Sequence, residues 1–510
     1  MSLILSLFLV FIISLITFLP AFNLGLFGDD WLAFWRYLQY LGPKSSGEWN
    51  HLSYFFTSYG AQDIIMELLQ KIFDYNSLYY QVTSYILRLI ASLSIYPVAW
   101  YLTRNKLASF LAVLFLSVTT IGLETTAWVF NMPSYIAISF LNLFFYFYLK
   151  SHFEQKINLL GMAGLLFTLA FLMAPIRMHG LLPFVIVMEL FWLFQKPSKI
   201  MVKQFLFRAS LFISISMGIF LIFSKSPVAP TLGVSNEIIA TLLKLINEGT
   251  INFLLNPLKT IGSIFIPPSN SYNQQLFIGM AAVFVWILLI IKFRKDQKTQ
   301  TALFFSFTWL ISSFFISWLR FPELILNSTH RYLIVSAVGI ALFLASIANV
   351  GKSQASMRII YLMVTSLILL NIISTRAYLK EQEKTHSIAV SNKIWDSMPY
   401  IEETGKSSEP LIFYFEGDGT NETILRDSIT FGFPPHMALL YGITEEDRTP
   451  IPMSNRREIE SAILDGKSFA AYSHPLEPIS PDRVYAFHLQ GNDNLIDITD
   501  KVRRKLEELK

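Results

Sequence analysis

The sequence predicts an α-helical polytopic membrane protein of about eleven transmembrane helices, followed by a small extracytoplasmic α/β domain. Three observations predict it. Of 510 residues, 53% are hydrophobic and only 15% are charged, whereas soluble globular chains carry roughly 25% charged residues. Stretches apolar enough to span a bilayer recur up to residue 377 and then stop. Charge divides at the same place, with 13 acids and 26 bases in residues 1–380 but 23 acids and 14 bases in 381–510. A basic, apolar body (1–380) therefore carries an acidic soluble tail (381–510). This composition excludes a soluble enzyme, a disordered tail and a nucleic-acid binder. The lack of any Cys excludes disulfides and thiolate metal sites.

A spanning helix needs roughly 17–25 mostly apolar residues. Such stretches lie near 2–22, 79–101, 107–122, 133–149, 158–175, 180–195, 204–224, 276–292, 301–319, 332–349 and 359–377. The first lacks a basic start and a small-residue cleavage site, and reads as a retained helix. Orientation follows from Lys and Arg in the short turns. Arg104, Lys106, Lys150, Lys156, Lys196, Lys199, Lys203, Arg208, Lys292, Arg294, Lys295, Lys298, Lys352 and Arg358 mark the cytoplasmic side, opposed there only by Glu154 and Asp296. The N-terminus is then cytoplasmic and the tail extracytoplasmic.

The outer loops 23–78 and 225–275 are long. Their apolar pieces 31–41, 61–74 and 250–266 are too short or interrupted to span, and read as amphipathic helices at the membrane surface. In the tail, LIFYFEG (411–417) and RVYAFHL (483–489) read as strands. Residues 422–432 and 455–465 read as helices, the second with Ser454 as N-cap. GDGTNET (417–423) reads as a solvated turn.

The sharpest chemical feature is GDDWLAFW at 28–35. Acids are scarce in this half, yet Asp29 and Asp30 are adjacent just beyond the first span. A carboxylate in an aromatic, apolar setting suits a general base acting on a hydroxyl. Asp is also a favoured helix N-cap, and Asp30, directly before the expected helix, is the more natural cap. That leaves Asp29 as the preferred base. Arg88 lies roughly 13 Å into the second span, where a charge needs a polar cavity or partner. Arg177 and His179 occupy the outer turn of MAPIRMHG, Arg331 begins a late span in THRYL, and Glu124 sits in GLETTAW. Three guanidiniums converging on one outer cavity suit a phosphate, which they grip in bidentate fashion. For each Arg the plainer reading is snorkelling or a structural ion pair. Glu189, His51 and Asp63 read as structural.

These segments resemble the GT-C superfamily of membrane glycosyltransferases, which includes protein O-mannosyltransferases and oligosaccharyltransferases. The resemblance rests on the acidic pair Asp29–Asp30 after the first span and on YQVTSYILR (80–88), where relatives often have His at the place of Arg88. It continues with the Glu-x-x-x-Trp segment that starts at Glu124, with APIRMHGLLPFVIVMELF (174–191), and with HRYLIVSAVGIALFLA (330–345). Two features depart from the pattern. A Lys-Glu pair is replaced around Arg177 and His179, and the tail lacks a tetratricopeptide pattern.

The resemblance implies a GT-C-like transmembrane domain that moves a sugar from a polyprenyl-phosphate carrier to an extracytoplasmic glycan, lipid or protein acceptor, with inversion. It implies Asp29 or Asp30 as the base; the residues themselves, by charge and placement at the outer edge, make Arg88, Glu124, Arg177, His179, Arg331 and Tyr332 the expected substrate-binding set. No cofactor is required by any spacing; a divalent ion, if used, would draw on Asp29, Asp30 and Glu124 as oxygen ligands. Two other classes fit the composition: a transporter or lipid-sugar flippase, and an inactive GT-C-like scaffold. Polar residues at the outer edge and the lack of an internal repeat weigh against a transporter. The intact acidic pair weighs against a scaffold.

Overall fold

The computed structural model describes residues 3–43, 45, 47–195, 197–223, 251–265, 272–320, 329–350, 354–386, 395, 397–419, 421, 425, 432–466, 478–491 and 494–509. Among them, eight helices are long and apolar enough to cross a membrane, and three more are apolar but shorter: Lys106–Val118, Ile157–Met173 and Ile334–Ala348. Each stretch expected to span falls on one of these.

The short helices Lys106–Val118 and Ile334–Ala348 lie at the centre of the bundle. Nearly every residue of the second is buried, which explains why its sequence is apolar on all sides and lacks a polar stripe. Lys106–Val118 packs against Leu3–Phe18, Ser77–Ser94, Tyr96–Thr103, Ile334–Ala348 and Gln354–His386. It ends at Val118, short of the expected 122. Beyond it, the Thr119 hydroxyl and the Thr120 amide both donate to Asn371 Oδ1 at 3.1 Å. The expected span 79–101 is two helices, Ser77–Ser94 and Tyr96–Thr103. Pro97 lacks the amide that would continue the ladder, so the chain breaks at Ile95.

Gly122, at φ +63°, lets the chain turn between the central helix and Glu124–Ala127. A Cβ there would sit 2.2 Å from Ile334 Cβ. This close approach seats Glu124–Ala127 against the start of the late helix, beside Arg331.

Three expectations need correction. Arg208, counted with a cytoplasmic turn, lies well inside helix Lys199–Phe223. It is buried, donates to the Ser151 carbonyl at 2.8 Å, and pairs with Glu189 at 3.5 Å. The division at 380/381 falls inside helix Gln354–His386, because Glu, Lys and Gln favour a helix as well as apolar residues do. The cap of helix Arg456–Asp465 is Asn455, whose side chain accepts from the Arg457 amide, rather than Ser454. The expected amphipathic pieces appear as Asp29–Tyr40, Gly60–Phe73 and Ile251–Phe265. The expected tail helix 422–432 lies almost entirely outside the described residues, as does much of loop 225–275.

The tail contains a four-stranded sheet in the order β2-β1-β3-β4. The strands are β1 Ile412–Gly417, β2 Ile451–Met453, β3 Val484–Gln490 and β4 Asn494–Asp497. β1 runs parallel to β2 and β3, and β4 is antiparallel to β3. Alternation splits β1 between two cores. Phe413 and Phe415 pack with Phe433 and Met437; Ile412 and Tyr414 pack with Ile451, Ile459 and Ile463. Helices Phe433–Tyr441 and Thr499–Glu507 were not anticipated. The first begins at a Pro-Pro pair, where proline is preorganised for a helix start.

Candidate active site

The site forms where the first loop turns back on the bundle. At Gly28, φ +59°, the chain enters helix Asp29–Tyr40. The helix begins at Asp29 itself, and Gly28 occupies the cap position without a side-chain bond. Asp30 is therefore not the N-cap. It is fully buried, and its two oxygens accept from two backbone amides: Oδ1 from Phe130 at 2.7 Å and Oδ2 from Phe27 at 3.1 Å. It ties the loop to a segment 100 residues away. Burial pushes the Asp30 carboxyl well above its ordinary range, the two amides pull it back, and Asp29 adds repulsion.

Asp29 is differently placed. Its side chain keeps 14% of its surface exposed, and Oδ2 accepts from Arg331 Nη2 at 3.1 Å. Burial raises its carboxyl above the usual value; the charges of Arg331 and Arg36 pull it down. Arg331 retains 28% exposure and lies over the Trp128 ring, 4.2 Å from its centroid, with Tyr332 at 5.3 Å. Phe27 stacks on the Trp128 ring at 5.5 Å. One carboxylate and one guanidinium thus meet on an aromatic wall with access to solvent.

The other expected residues surround the short helix Glu124–Ala127. Arg177 donates to Thr125 Oγ1 and to Asn131 Oδ1, both at 2.8 Å. Thr125 Oγ1 in turn lies 3.5 Å from the Arg331 carbonyl. Glu124 accepts from the Tyr378 hydroxyl at 2.8 Å, and His330 stacks on that tyrosine at 4.2 Å. His179 lies against Phe171, with ring centroids 6.0 Å apart.

Arg88 needs a firmer correction. Its guanidinium donates to the carbonyls of Leu116, Ser117 and Thr119, to the Thr126 hydroxyl and to Tyr135. Every N–H is engaged. Arg88 collects the orphan carbonyls at the end of the central helix, as a C-terminal cation does. It clamps the bundle and has no donor left for a phosphate. The three arginines gather around one short helix, but only Arg331 meets Asp29. Arg88→Met should leave these carbonyls unsatisfied, at a cost of roughly 1–3 kcal/mol each. The check is thermal unfolding in detergent, where the expected result is a lowered midpoint.

Asp63 and His51 each meet a charged partner within the first loop. Asp63 is fully buried, holds Arg36 in a bidentate pair at 2.7 and 2.9 Å, and accepts from the Tyr54 hydroxyl at 2.7 Å. His51 contacts buried Glu67 at 3.1 Å. Sequence reasoning missed Arg36, Thr125, Asn131 and Tyr378, and carried Trp128 only as the Trp of the Glu-x-x-x-Trp segment. Arg36 had a signal: it lies seven residues after Asp29, on the same helix face.

No group of three His, Cys, Asp or Glu side chains suited to a metal occurs among the described residues. Asp30 is held by amides, Glu124 by Tyr378 and Asp29 by Arg331. These residues as arranged do not form a divalent-ion site.

No protein-family model matches the chain, and no curated protein matches it. Solved structures do. An archaeal oligosaccharyltransferase, AglB from Archaeoglobus fulgidus, in complex with an inhibitory peptide and a dolichol-phosphate, aligns with TM-score 0.50 at 13% identity. The alignment covers 91% of this chain and 67% of that one. The apo form of the Archaeoglobus fulgidus oligosaccharyltransferase aligns at TM-score 0.49 and 14% identity, over 89% of this chain and 65% of that one. Its complex with Zn and sulfate aligns at TM-score 0.47 and 14% identity, over 95% of this chain and 67% of that one. The chain therefore has a fold like that of the archaeal oligosaccharyltransferase AglB.

Proposed function

We propose that this GT-C-fold chain transfers a sugar from a polyprenyl-phosphate carrier to an extracytoplasmic acceptor, with inversion and with Asp29 as the base. The observation that carries the reading is the Asp29–Arg331 pair, 3.1 Å apart and partly exposed, at the first-loop end of an apolar bundle. The two groups supply both halves of a displacement. Asp29 takes the proton of the acceptor hydroxyl, and the freed oxygen pair forms a bond to the anomeric carbon. The bond from that carbon to the carrier phosphate breaks on the opposite face. Its electron pair leaves on the phosphate oxygen, and the Arg331 guanidinium stabilises the added charge. Tyr332 and Trp128 border the cation. Arg177, through Thr125, supports the backbone of Arg331. The fold match supports the reading, since the AglB structure holds a dolichol-phosphate. Nothing in the arrangement favours a flippase or a scaffold.

The direct test is release of polyprenyl phosphate from a panel of polyprenyl-phosphate hexoses by the purified protein, alongside mass spectrometry of surface glycans with and without the gene. Absence of any turnover or glycan change would leave a fold without this activity.

The same reading puts Asp29, Arg331 and the tail outside the cytoplasm. The chain has no Cys, so single-Cys labelling reads each position cleanly. Cys introduced in the tail should label in intact cells, and Cys at residue 199 only after permeabilisation. The opposite pattern would invert the topology.

A further inference from the structure

The tail is built against the helix that carries Asp29. His436, on tail helix Phe433–Tyr441, lies flat on Trp31, with ring centroids 3.6 Å apart and planes 14° apart. Trp395 covers His436 at 3.7 Å. Four residues beyond Trp31, Trp35 Nε1 donates to the Ile443 carbonyl at 2.8 Å. Four further on, Gln39 Nε2 donates to the Thr444 carbonyl at 2.8 Å. Trp31, Trp35 and Gln39 form one face of the helix. Asp29 is two residues from Trp31, about 200° around the axis at 100° per residue, so it looks the other way.

The contact reaches the helix start. Gly432 packs so closely that a Cβ there would lie 2.8 Å from the Gly28 amide nitrogen and 3.1 Å from Trp31 Cδ1. Gly28 is the cap residue from which Asp29 departs. The stack also uses His436 as a flat ring. Its Nδ1 is buried and has no hydrogen-bond partner among the described residues. Burial lowers its pKa to about 3, so the ring is neutral at working pH.

We infer that the tail is a positioning element of the transfer site: it grips the far face of helix Asp29–Tyr40, and the Trp395–His436–Trp31 stack sets the angle at which Asp29 is presented. This rests on the transferase reading for its effect on rate, but the mechanical coupling does not. His436 touches no reacting atom; it acts through Trp31. Misplacing a catalytic group by about 1 Å can cost 10²-fold in rate, so the coupling is measurable.

The experiment is hydrogen–deuterium exchange on the full chain in detergent, paired with turnover of polyprenyl-phosphate hexoses. His436→Ala should raise amide exchange across residues 27–35 and lower kcat by about 10²-fold, with KM for the donor unchanged. His436→Phe keeps a flat ring and should restore both. Trp35→Phe deletes one bond of the joint without altering the tail; it should raise exchange over 27–35 while β1 stays protected. That result separates a loosened joint from an unfolded tail. Unchanged exchange over 27–35 in both His436→Ala and Trp35→Phe overturns the coupling. A kcat loss that His436→Phe does not restore overturns the stack as its cause. The exchange arm uses no substrate, so it decides the coupling even where no polyprenyl-phosphate hexose is turned over and the transferase reading alone fails.

Discussion

Asp29→Asn is expected to lower turnover by about 10²–10⁴-fold, the usual loss when a general base is removed. The variant should remain folded. Asp29 has partial solvent access and, among the described residues, bonds one side chain, Arg331. An amide oxygen can still accept from that guanidinium, while the amide can no longer take a proton. Asp30→Asn should behave differently. Asn presents one oxygen where Asp30 uses two, and its NH₂ would face a backbone N–H. Loss of a buried charge-assisted bond costs about 1.5–3 kcal/mol, so this variant should unfold at lower temperature. Turnover measured per folded molecule separates the two. Near-normal turnover by folded Asp29→Asn would remove the base assignment; collapse of both variants before assay would be answered by Asp29→Glu, which keeps a carboxylate.

Arg331→Gln is expected to lower kcat/KM by about 10²–10³-fold, comparable to deleting one preorganised donor from an oxyanion site. Its pH profile carries a second signature. Asp29 works as a carboxylate, so activity falls as pH drops through its pKa. Burial sets that pKa above the ordinary aspartate value, and Arg331 is the foremost charge holding it down. Without Arg331 the pKa rises further, so the acid limb of kcat should move to higher pH. A rate loss with no movement of that limb would mean that Arg331 serves the donor alone. Arg331→Lys should recover part of the limb shift, because a charge remains, but less of the rate, because Lys lacks the planar fork.

The apolar stretches, the acidic pair at the end of the first, and the change of composition near residue 380 can be read along the chain, because each depends on residue type over a local window. The helices Asp29–Tyr40 and Gly60–Phe73 were visible in the same way. What an arginine does was not. Arg88, Arg177 and Arg331 look alike in sequence, each a cation in or beside an apolar run. Their roles differ only in what the fold brings to them: the carbonyls that end the central helix for Arg88, Thr125 and Asn131 for Arg177, and Asp29 from 302 residues away for Arg331. Asp29 and Asp30 divide in the same manner. Neighbours on a helix point about 100° apart, so one enters the packed loop and meets the Phe130 amide while the other keeps solvent. The grip of the tail on Trp31 was equally invisible, since it joins residues 405 positions apart. Local propensity and hydropathy decide which segments become helices in the bilayer. Which charge is a clamp and which is free to react depends on long-range partners, and only packing supplies those.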